Sequence, residues 1–84
     1  MTTTVEALQP LTPRQRAIYD WIVAYHARER IAPSVRDLAK AFRIKSPNGV
    51  MAHIRPLVRK GWLESRPNTA RSILPTLEAL NHGA

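Results

Sequence analysis

The 84-residue sequence predicts a mainly α fold of the α+β class, in which a three-helix bundle precedes a C-terminal two-stranded β-hairpin. Three observations predict it: helical spacing of apolar residues in three segments, a helix-start signature before each, and two β-prone segments around a turn-rich stretch. A chain of this length buries one modest core. We therefore expect one domain at 11–75, a flexible arm at 1–10, and a short tail at 76–84 with no clear core partner.

The first helix begins at Thr12, which the sequence marks as an N-cap. Pro13 occupies the first helical position and Gln15 follows the cap by three residues, which completes a capping-box pattern. The apolar residues that follow share one helical face: Ile18, Trp21, Ile22 and Tyr25. We expect this helix to run to about Arg30, because Ile31-Ala32-Pro33 then steers the chain away from helical angles.

The second helix begins after Ser34, with Asp37 placed to complete another capping box. Its inner face is predicted from the apolar spacing: Val35, Leu38, Ala39 and Phe42. Only Arg43-Ile44-Lys45 separates it from the next cap and proline, Ser46-Pro47. Two short helices joined by so tight a turn predict a helix-turn-helix.

The third helix opens at Ser46 and is expected to stop at Gly61, after two cations that suit the negative end of a helix dipole. Its inner stripe is predicted to contain Val50, Ile54, Leu57 and Val58. Pro56 lies inside this helix, where it cannot donate a hydrogen bond to the carbonyl of Ala52. We expect a kink at this position.

The β-hairpin is predicted from the two β-prone segments Trp62-Leu63-Glu64-Ser65 and Arg71-Ser72-Ile73-Leu74. The turn-rich stretch 66–70 lies between them. A hairpin directly after a helix-turn-helix is in the position of a wing, so the sequence predicts a winged helix-turn-helix.

The charge balance points to a polyanionic partner. Thirteen Lys and Arg residues against six Asp and Glu give a net charge of +7 and a pI of 11.2. Nucleic acid, a membrane surface and an acidic protein all fit this charge. Cysteine is absent, no apolar run is long enough to cross a bilayer, and the N-terminus lacks signal-peptide features. We expect a cytoplasmic, nucleoid-associated protein with no membrane partner.

The start of the third helix is the predicted reading surface, since the major groove accepts one helix and exposes base edges to its outward side chains. The outward set is expected to be Asn48, Gly49, Met51, Ala52 and Arg55. Asn48 is the best reader because its amide matches the N7 and N6 edge of adenine. Met51 or Ala52 suits a thymine methyl, and Ser46 with the helix start suits a phosphate. Ordinary cap and turn chemistry is the alternative interpretation of this segment.

From Leu11 to about Leu74 the sequence resembles the N-terminal DNA-binding domain of the LexA family of SOS repressors. Four motifs carry the resemblance in matching order and spacing: Leu11-Thr12-Pro13-Arg14-Gln15, Ala32-Pro33-Ser34-Val35-Arg36-Asp37-Leu38-Ala39, Ser46-Pro47-Asn48-Gly49-Val50, and His53-Ile54-Arg55-Pro56-Leu57 running into Arg59-Lys60-Gly61. The resemblance implies sequence-specific binding of double-stranded DNA by a transcriptional repressor or regulator. Helix 3 would occupy the major groove, and the wing would lie on the backbone or minor groove.

By the pattern of the family, base-facing positions fall on Ser46, Asn48, Gly49, Met51 and Ala52. Phosphate-facing positions fall on Thr12, Arg14, Arg59, Lys60, Ala70 and Arg71, and the outward cation Arg55 joins them as a backbone contact. The family often has acidic or other polar side chains where this chain has Met51 and Ala52, so we expect a different preferred DNA site. Pro56 also replaces a helix former of the family.

The self-cleaving serine-lysine domain of the family, with its dimer interface, has no counterpart after residue 75 in this sequence. We therefore expect no autoproteolysis from these residues. The resemblance implies a homodimer on a palindromic DNA site. Two alternatives stay open: a monomer that pairs only on DNA, or a fragment of a longer protein.

Catalytic and metal chemistry find no support in the sequence. The three histidines lack ligand spacing, and Ser34 and Ser46 occupy cap positions without a base, so we expect no enzyme, metal, cofactor or small-molecule ligand. Trp21 and Trp62 are predicted to be core residues rather than base-stacking ones. Two other functions remain as alternatives: a non-specific architectural nucleic-acid protein, and a winged-helix adaptor for an acidic protein.

Overall fold

A computed structural model describes residues 9–66 and 71–83. Within them the element order is α1 (Pro13–Glu29), α2 (Val35–Phe42), α3 (Pro47–Arg59), β1 (Leu63–Glu64), β2 (Leu74–Pro75) and α4 (Leu77–Gly83). The predicted fold class, with three helices and an antiparallel hairpin, is confirmed. None of the helices in these two ranges is long and apolar enough to cross a bilayer.

Helix α1 begins as its sequence predicts. The N–H of Gln15 donates to Thr12 Oγ1 at 3.2 Å, and the N–H of Thr12 donates back to Gln15 Oε1 at 3.1 Å. The helix ends where Arg30 turns to the left-handed region at a φ of 64°. This reversal directs the chain through the buried residues Ala32 and Pro33 into α2.

The turn between α2 and α3 is closed by backbone hydrogen bonds. Arg43 takes a left-handed conformation with a φ of 57°, and the N–H groups of Arg43 and Ile44 both donate to the carbonyl of Ala39. The 2.8 Å bond from Ile44 is the long return bond of a Schellman motif. Ser46 then caps α3 by accepting the N–H of Gly49 at 3.1 Å. The predicted helix-turn-helix is therefore built from two local caps and one chain reversal.

Helix α3 continues through Pro56 to Arg59. Pro56 removes the bond to the carbonyl of Ala52, but its own carbonyl accepts the N–H of Lys60 at 2.9 Å, so the hydrogen-bond ladder resumes. Pro56 thus does not interrupt the helix, and the kink expected at this position stays a prediction. The helix stops at Gly61 as predicted, where a φ of 89° lets the N–H of Trp62 return to the carbonyl of Leu57.

One residue of the predicted inner stripe of α3 was assigned to the wrong face. Val58 is 37% exposed, whereas Val50, Ile54 and Leu57 are buried. The 3.6-residue period explains the difference, since Val58 is rotated by about 100° from Leu57 and falls beyond the edge of the apolar stripe. Val58 therefore belongs to the outer surface of α3.

The wing is shorter than predicted. Strands β1 and β2 have two residues each and pair antiparallel, with Leu63 opposite Pro75 and Glu64 opposite Leu74. Below the turn, Ser72 Oγ accepts the N–H of Arg66 at 3.0 Å and donates to the Arg66 carbonyl at 3.1 Å. The tip of the predicted turn, residues 67–70 with the candidate phosphate contact Ala70, lies outside the described residues.

Helix α4 lies in the segment 76–84, which the sequence predicts to be a short tail with no clear core partner. Ala79 is 0% exposed and belongs to the core. Thr76 fixes the start of the helix, because its hydroxyl accepts the N–H of Ala79 at 3.1 Å and donates to the carbonyl of Gly61 at 2.7 Å. Sequence reasoning missed this docking because a single small apolar residue gives no periodic signal.

The N-terminal segment is also tied to the domain earlier than expected. The carbonyl of Gln9 accepts Trp62 Nε1 at 2.7 Å, and the carbonyl of Pro10 accepts Lys60 Nζ at 2.8 Å. Residues 9 and 10 thus lie against the end of α3, although the sequence placed them in the arm. Residues 1–8 of that arm lie outside the described residues.

A single core joins all of these elements. Its buried members are Ile18, Tyr19, Ile22, Leu38, Val50, Ile54, Leu57, Trp62, Leu63, Ile73 and Ala79. Trp62 packs edge-on against Tyr19 with ring centroids 5.2 Å apart, and Trp21 lies half-buried between Tyr25 and Phe42. Both tryptophans pack as the sequence predicts. The core fixes α3 by its inner face and leaves its outer face to solvent.

Candidate nucleic-acid interface

One side of α3 is a continuous exposed strip, which we call the outer stripe. It contains Asn48, Ala52, Arg55 and Arg59, whose spacing of four, three and four residues follows one helical face. All four are exposed, while Val50, Ile54 and Leu57 hold the opposite side in the core. The stripe therefore changes along its length from a small polar start to a cationic end.

The start of the outer stripe is chemically open. Asn48 is exposed, and its amide makes no hydrogen bond to any described residue, so both its donor and its acceptor face solvent. The oxygen of Ser46 accepts the N–H of Gly49, and its hydroxyl hydrogen remains a donor. Two predicted base-facing residues thus lie together at the helix start with unused hydrogen-bonding capacity.

Two other predicted base readers point away from the outer stripe. A Cβ added to Gly49 would lie 2.7 Å from Cγ2 of Ile44, so this position faces the turn of the helix-turn-helix. Met51 is half-buried and packs against the core. Both residues are half-buried because α3 is rotated to seat Val50 and Ile54, and their contact with bases stays a prediction.

A cleft runs between the second half of α3 and the wing. It is lined by Met51, Ile54, Arg55, Val58, Arg59 and Ser65. Its floor is apolar where Met51 and Ile54 lie, and two of its rim residues are the exposed cations Arg55 and Arg59. The structure thus brings two predicted phosphate contacts beside the first residue after β1.

Other predicted phosphate contacts already have partners within the domain. Lys60 is half-buried, and its Nζ donates to the carbonyl of Pro10 and, at 2.7 Å, to Gln15 Oε1. Arg14 is exposed, with Nη2 at 3.4 Å from the carbonyl of Phe42 and its guanidinium carbon 5.2 Å from the centre of the Phe42 ring. Thr12 is exposed and acts as the cap of α1.

Arg71, at the base of the wing, has its guanidinium at the junction of α1 and α2. Its Nη1 lies 3.0 Å from the carbonyl of Ala32, 3.3 Å from Asp37 Oδ2 and 3.4 Å from the hydroxyl of Tyr25. The hydrogen bond to Tyr25 is the main cause that raises the pKa of Arg71 above its ordinary value, and the Asp37 charge adds to it. Arg71 is thus a bridge between the wing and the helices.

Asp37 is the acceptor at the centre of this junction. Its Oδ2 accepts the N–H of Ser34 at 3.0 Å and the Tyr25 hydroxyl at 3.2 Å, besides the bond from Arg71. The backbone bond from Ser34 is the largest cause that lowers the pKa of the Asp37 carboxyl, and Tyr25 and Arg71 add to it. The carboxylate is therefore charged at neutral pH.

Sequence reasoning found Asp37 only as a helix cap. Its contacts with Tyr25 and Arg71 join residues 12 and 34 positions apart, which no local pattern signals. It also missed Arg36 and Lys45, two exposed cations that line a second cleft beside Ser46 and Pro47. The sequence did place both cations within the predicted helix-turn-helix, Arg36 in its first helix and Lys45 in its turn, but charge alone does not say which cations share a cleft.

Metal-binding geometry is absent from residues 9–66 and 71–83, where no cluster of three His, Asp or Glu residues is found. His26 is exposed and His53 is half-buried on α3, while the side chain of His82 lies outside the described set. Ser34 and Ser46 both act as caps, in agreement with their sequence interpretation.

Comparison with known proteins gives a consistent match. Residues 8–72 match the family profile described as the LexA DNA binding domain. The LexA repressor of Acidithiobacillus ferrooxidans is 41% identical over 66 residues, which is 79% of this chain and 32% of the relative. The LexA repressor of Pseudothermotoga lettingae is 44% identical over 63 residues, covering 75% of this chain and 30% of the relative.

The "Transcription regulator LexA" of Synechocystis is 30% identical over 66 residues, again 79% of this chain and 32% of the relative. The chain thus spans about a third of the length of the curated relatives it matches. The matched region runs from the segment before α1 to the residue after Arg71, and so includes the helix-turn-helix and the outer stripe. The chain belongs to the LexA DNA-binding domain family.

Proposed function

We propose that this chain binds double-stranded DNA sequence-specifically as a LexA-like transcriptional repressor or regulator, with α3 in the major groove and the wing on the backbone. The observation that carries the proposal is the outer stripe: a solvent-facing helix side that starts with the uncommitted amide of Asn48 and ends with Arg55 and Arg59. The major groove of DNA admits one helix, and side chains of this kind on its outer face can contact the base edges. Membership of the LexA DNA-binding domain family supports the same function.

In this proposal, the residues that recognise the DNA sequence lie in the first two turns of α3. Asn48 pairs with an adenine edge, Ala52 touches a thymine methyl, and Ser46 donates its hydroxyl hydrogen to a base or phosphate. Gly49 and Met51 complete the base-facing set that the family pattern implies. Since the Cα of Gly49 carries no side chain and Met51 is half-buried, their contribution is close approach and an apolar edge.

Backbone contacts fall to residues that flank α3 and to the base of the wing. The proposed set is Thr12, Arg14, Arg55, Arg59, Lys60 and Arg71. Lys60 Nζ has three donor hydrogens and uses two of them within the domain, so one remains for a phosphate. Arg14 lies in the first turn of α1. Arg71 contacts Tyr25, which is eleven residues further along the same helix, so this contact lies about 16 Å from Arg14 along the helix axis.

Pairing on DNA is the proposed route to useful affinity. A single helix-turn-helix touches few base pairs, so we propose that two copies occupy the halves of a palindromic site and block transcription there. The proposed DNA-binding unit is 11–75, and residues 9–10 and α4 pack against it. In this proposal the protein works in the cytoplasm at the nucleoid.

Selection from a randomised duplex library, followed by footprinting of the enriched site, tests the proposal. We expect an enriched palindromic motif, and Asn48→Ala is expected to lose about 1–3 kcal/mol of discrimination at one base position of each half-site. Asn81→Ala, which changes an exposed asparagine on α4, is the matched control and is expected to bind as the unchanged chain does.

The outcomes separate this function from its alternatives. Binding without an enriched motif would identify a non-specific architectural protein, and no binding to any duplex at low salt would point to a protein-docking adaptor. If Asn48→Ala weakened binding equally on all sequences, Asn48 would be a backbone contact and the assignment of the reading surface would be wrong.

A further inference from the structure

The junction that joins the wing base to α1 and α2 holds an arginine by one nitrogen of its guanidinium. Within the described residues, all hydrogen bonds of the Arg71 guanidinium use Nη1, which points at Ala32, Asp37 and Tyr25. Nη1 carries two hydrogens, whereas the complete guanidinium carries five. The Nη2 and Nε donors therefore remain available, and the Arg71 side chain is 44% exposed.

The backbone of Arg71 supports the view that this geometry is imposed. Its φ of 55° lies in the left-handed region, which residues with a Cβ adopt at a cost and glycine adopts readily. Such a conformation persists where surrounding contacts hold it. Within the described residues, the side chain of Arg71 makes three contacts that can hold it, all through Nη1, so the guanidinium is anchored at one edge.

Asp37 supplies the anchor although its charge opposes DNA binding. Its side chain is 30% exposed, and its Oδ2 also accepts the N–H of Ser34 at 3.0 Å, which fixes the carboxylate to the first turn of α2. Tyr25 donates to the same oxygen from α1 at 3.2 Å. Two helices of the DNA-binding unit thus determine where the guanidinium lies.

We propose that Asp37 and Tyr25 are positioning residues that hold Arg71 by Nη1 so that its remaining donors face a DNA phosphate at the base of the wing. The inference rests on the proposed DNA-binding function and assigns a favourable role in DNA binding to a carboxylate. Preorganisation explains why a negative charge can favour DNA binding here, because an arginine already fixed in its bound orientation loses less conformational freedom when it meets a phosphate.

The expected signature runs against simple electrostatics. Asp37→Asn raises the net charge of the chain by one, which by itself strengthens DNA binding. We expect it instead to weaken binding roughly three- to tenfold, because Arg71 loses the charged acceptor of its anchor. Asp20→Asn is the matched control, since Asp20 also pairs with an arginine, Arg16, at 3.2 Å on the surface of α1. This control is expected to bind as tightly as the unchanged chain or slightly more tightly.

Fluorescence anisotropy on the selected duplex at several salt concentrations is the assay, with circular dichroism confirming that each variant is folded at the temperature used. Arg71→Ala is expected to lose about tenfold in affinity and to lower the salt slope by about one phosphate contact. Asp37→Asn added to Arg71→Ala is expected to cause no further loss. Tyr25→Phe removes one anchor without a change of charge and is expected to weaken binding less than Asp37→Asn.

Each result decides the matter. If Asp37→Asn and Tyr25→Phe both bind as Asp20→Asn does, or if Asp37→Asn weakens binding equally with and without Arg71, the inference is wrong while the proposed function stands. If the unchanged chain binds no duplex, the proposed function itself fails. Should Asp37→Asn not fold, Tyr25→Phe alone decides, because the capping carboxylate of α2 is intact in that variant.

Discussion

Gly49→Ala changes the first turn of α3 at the point where it meets the turn after α2. An added Cβ would lie 2.7 Å from Cγ2 of Ile44, against about 3.5–4.0 Å for an ordinary carbon contact. The methyl therefore overlaps Ile44 by about 1 Å, and either Ile44 or the start of α3 must move. Ile44 is half-buried and β-branched, so its side chain has few alternative positions.

Two opposing effects set the magnitude. Overpacking costs about 1–3 kcal/mol, while replacing glycine by alanine in a helix gains up to about 1 kcal/mol. We expect Gly49→Ala to lower the free energy of unfolding by about 1 kcal/mol, which lowers the Tm of a domain of this size by about 4–8 °C. DNA affinity should also fall, since Asn48 lies on the displaced turn.

Urea denaturation followed by circular dichroism measures the change in stability. Ile44→Leu removes the β-branch that carries Cγ2, so the double variant should recover stability relative to the sum of the single changes by at least about 0.5 kcal/mol. A Gly49→Ala variant more stable than the unchanged chain would show that Gly49 is not held by this contact, and the inward placement of this position would be wrong.

Three further predictions concern stability. The lowered pKa of Asp37 implies that its carboxylate contributes to the free energy of unfolding, fully at pH values above its ordinary pKa of 3.8 and less as the pH falls through the lowered pKa of the folded state. The free energies of unfolding of the unchanged chain and of Asp37→Asn, measured by denaturation across pH 2–7, should therefore converge in acid, and a constant difference between them would contradict this prediction. Arg43→Gly relieves a left-handed φ of 57° and should raise the free energy of unfolding by about 0.5–1 kcal/mol. Arg36→Gly, inside α2, should lower it by about 1 kcal/mol, and equal effects of the two changes would refute the left-handed conformation of Arg43. Thr76→Val removes the cap of α4 and should cost about 1–2 kcal/mol by urea denaturation, and an unchanged midpoint would show that α4 adds little.

The local signals of the sequence predicted most of the fold. Thr12, Ser34 and Ser46 cap the three predicted helices, and Gly61 ends α3, because caps are satisfied by residues within a few positions along the chain. The apolar spacing of Val50, Ile54 and Leu57 likewise fixed which side of α3 is buried.

Elements with weak local signals were predicted less well. Strands β1 and β2 have only two residues each, and α4 is held in the core by Ala79 and by the bond from Thr76 to Gly61, fifteen residues earlier. A pattern that requires several periodic apolar residues cannot register contacts of this kind. The exposure of Val58 was also beyond the reach of the sequence pattern, because this residue lies at the edge of the apolar stripe, where a small rotation of the helix decides whether a side chain is buried.

The features of the candidate interface likewise separate into those set by neighbouring residues and those set by tertiary packing. The sequence by itself determined that α3 would open with Ser46 and Asn48 on a basic helix-turn-helix, since capping, charge and periodicity are properties of neighbouring residues. Only the tertiary structure decided that Gly49 faces Ile44, that Lys60 reaches Pro10 and Gln15, and that Arg71 is anchored by Asp37. The last two sets of contacts join residues 34 to 50 positions apart, and the direction of Gly49 depends on how α3 is rotated against the core, so each exists only once the helices have packed.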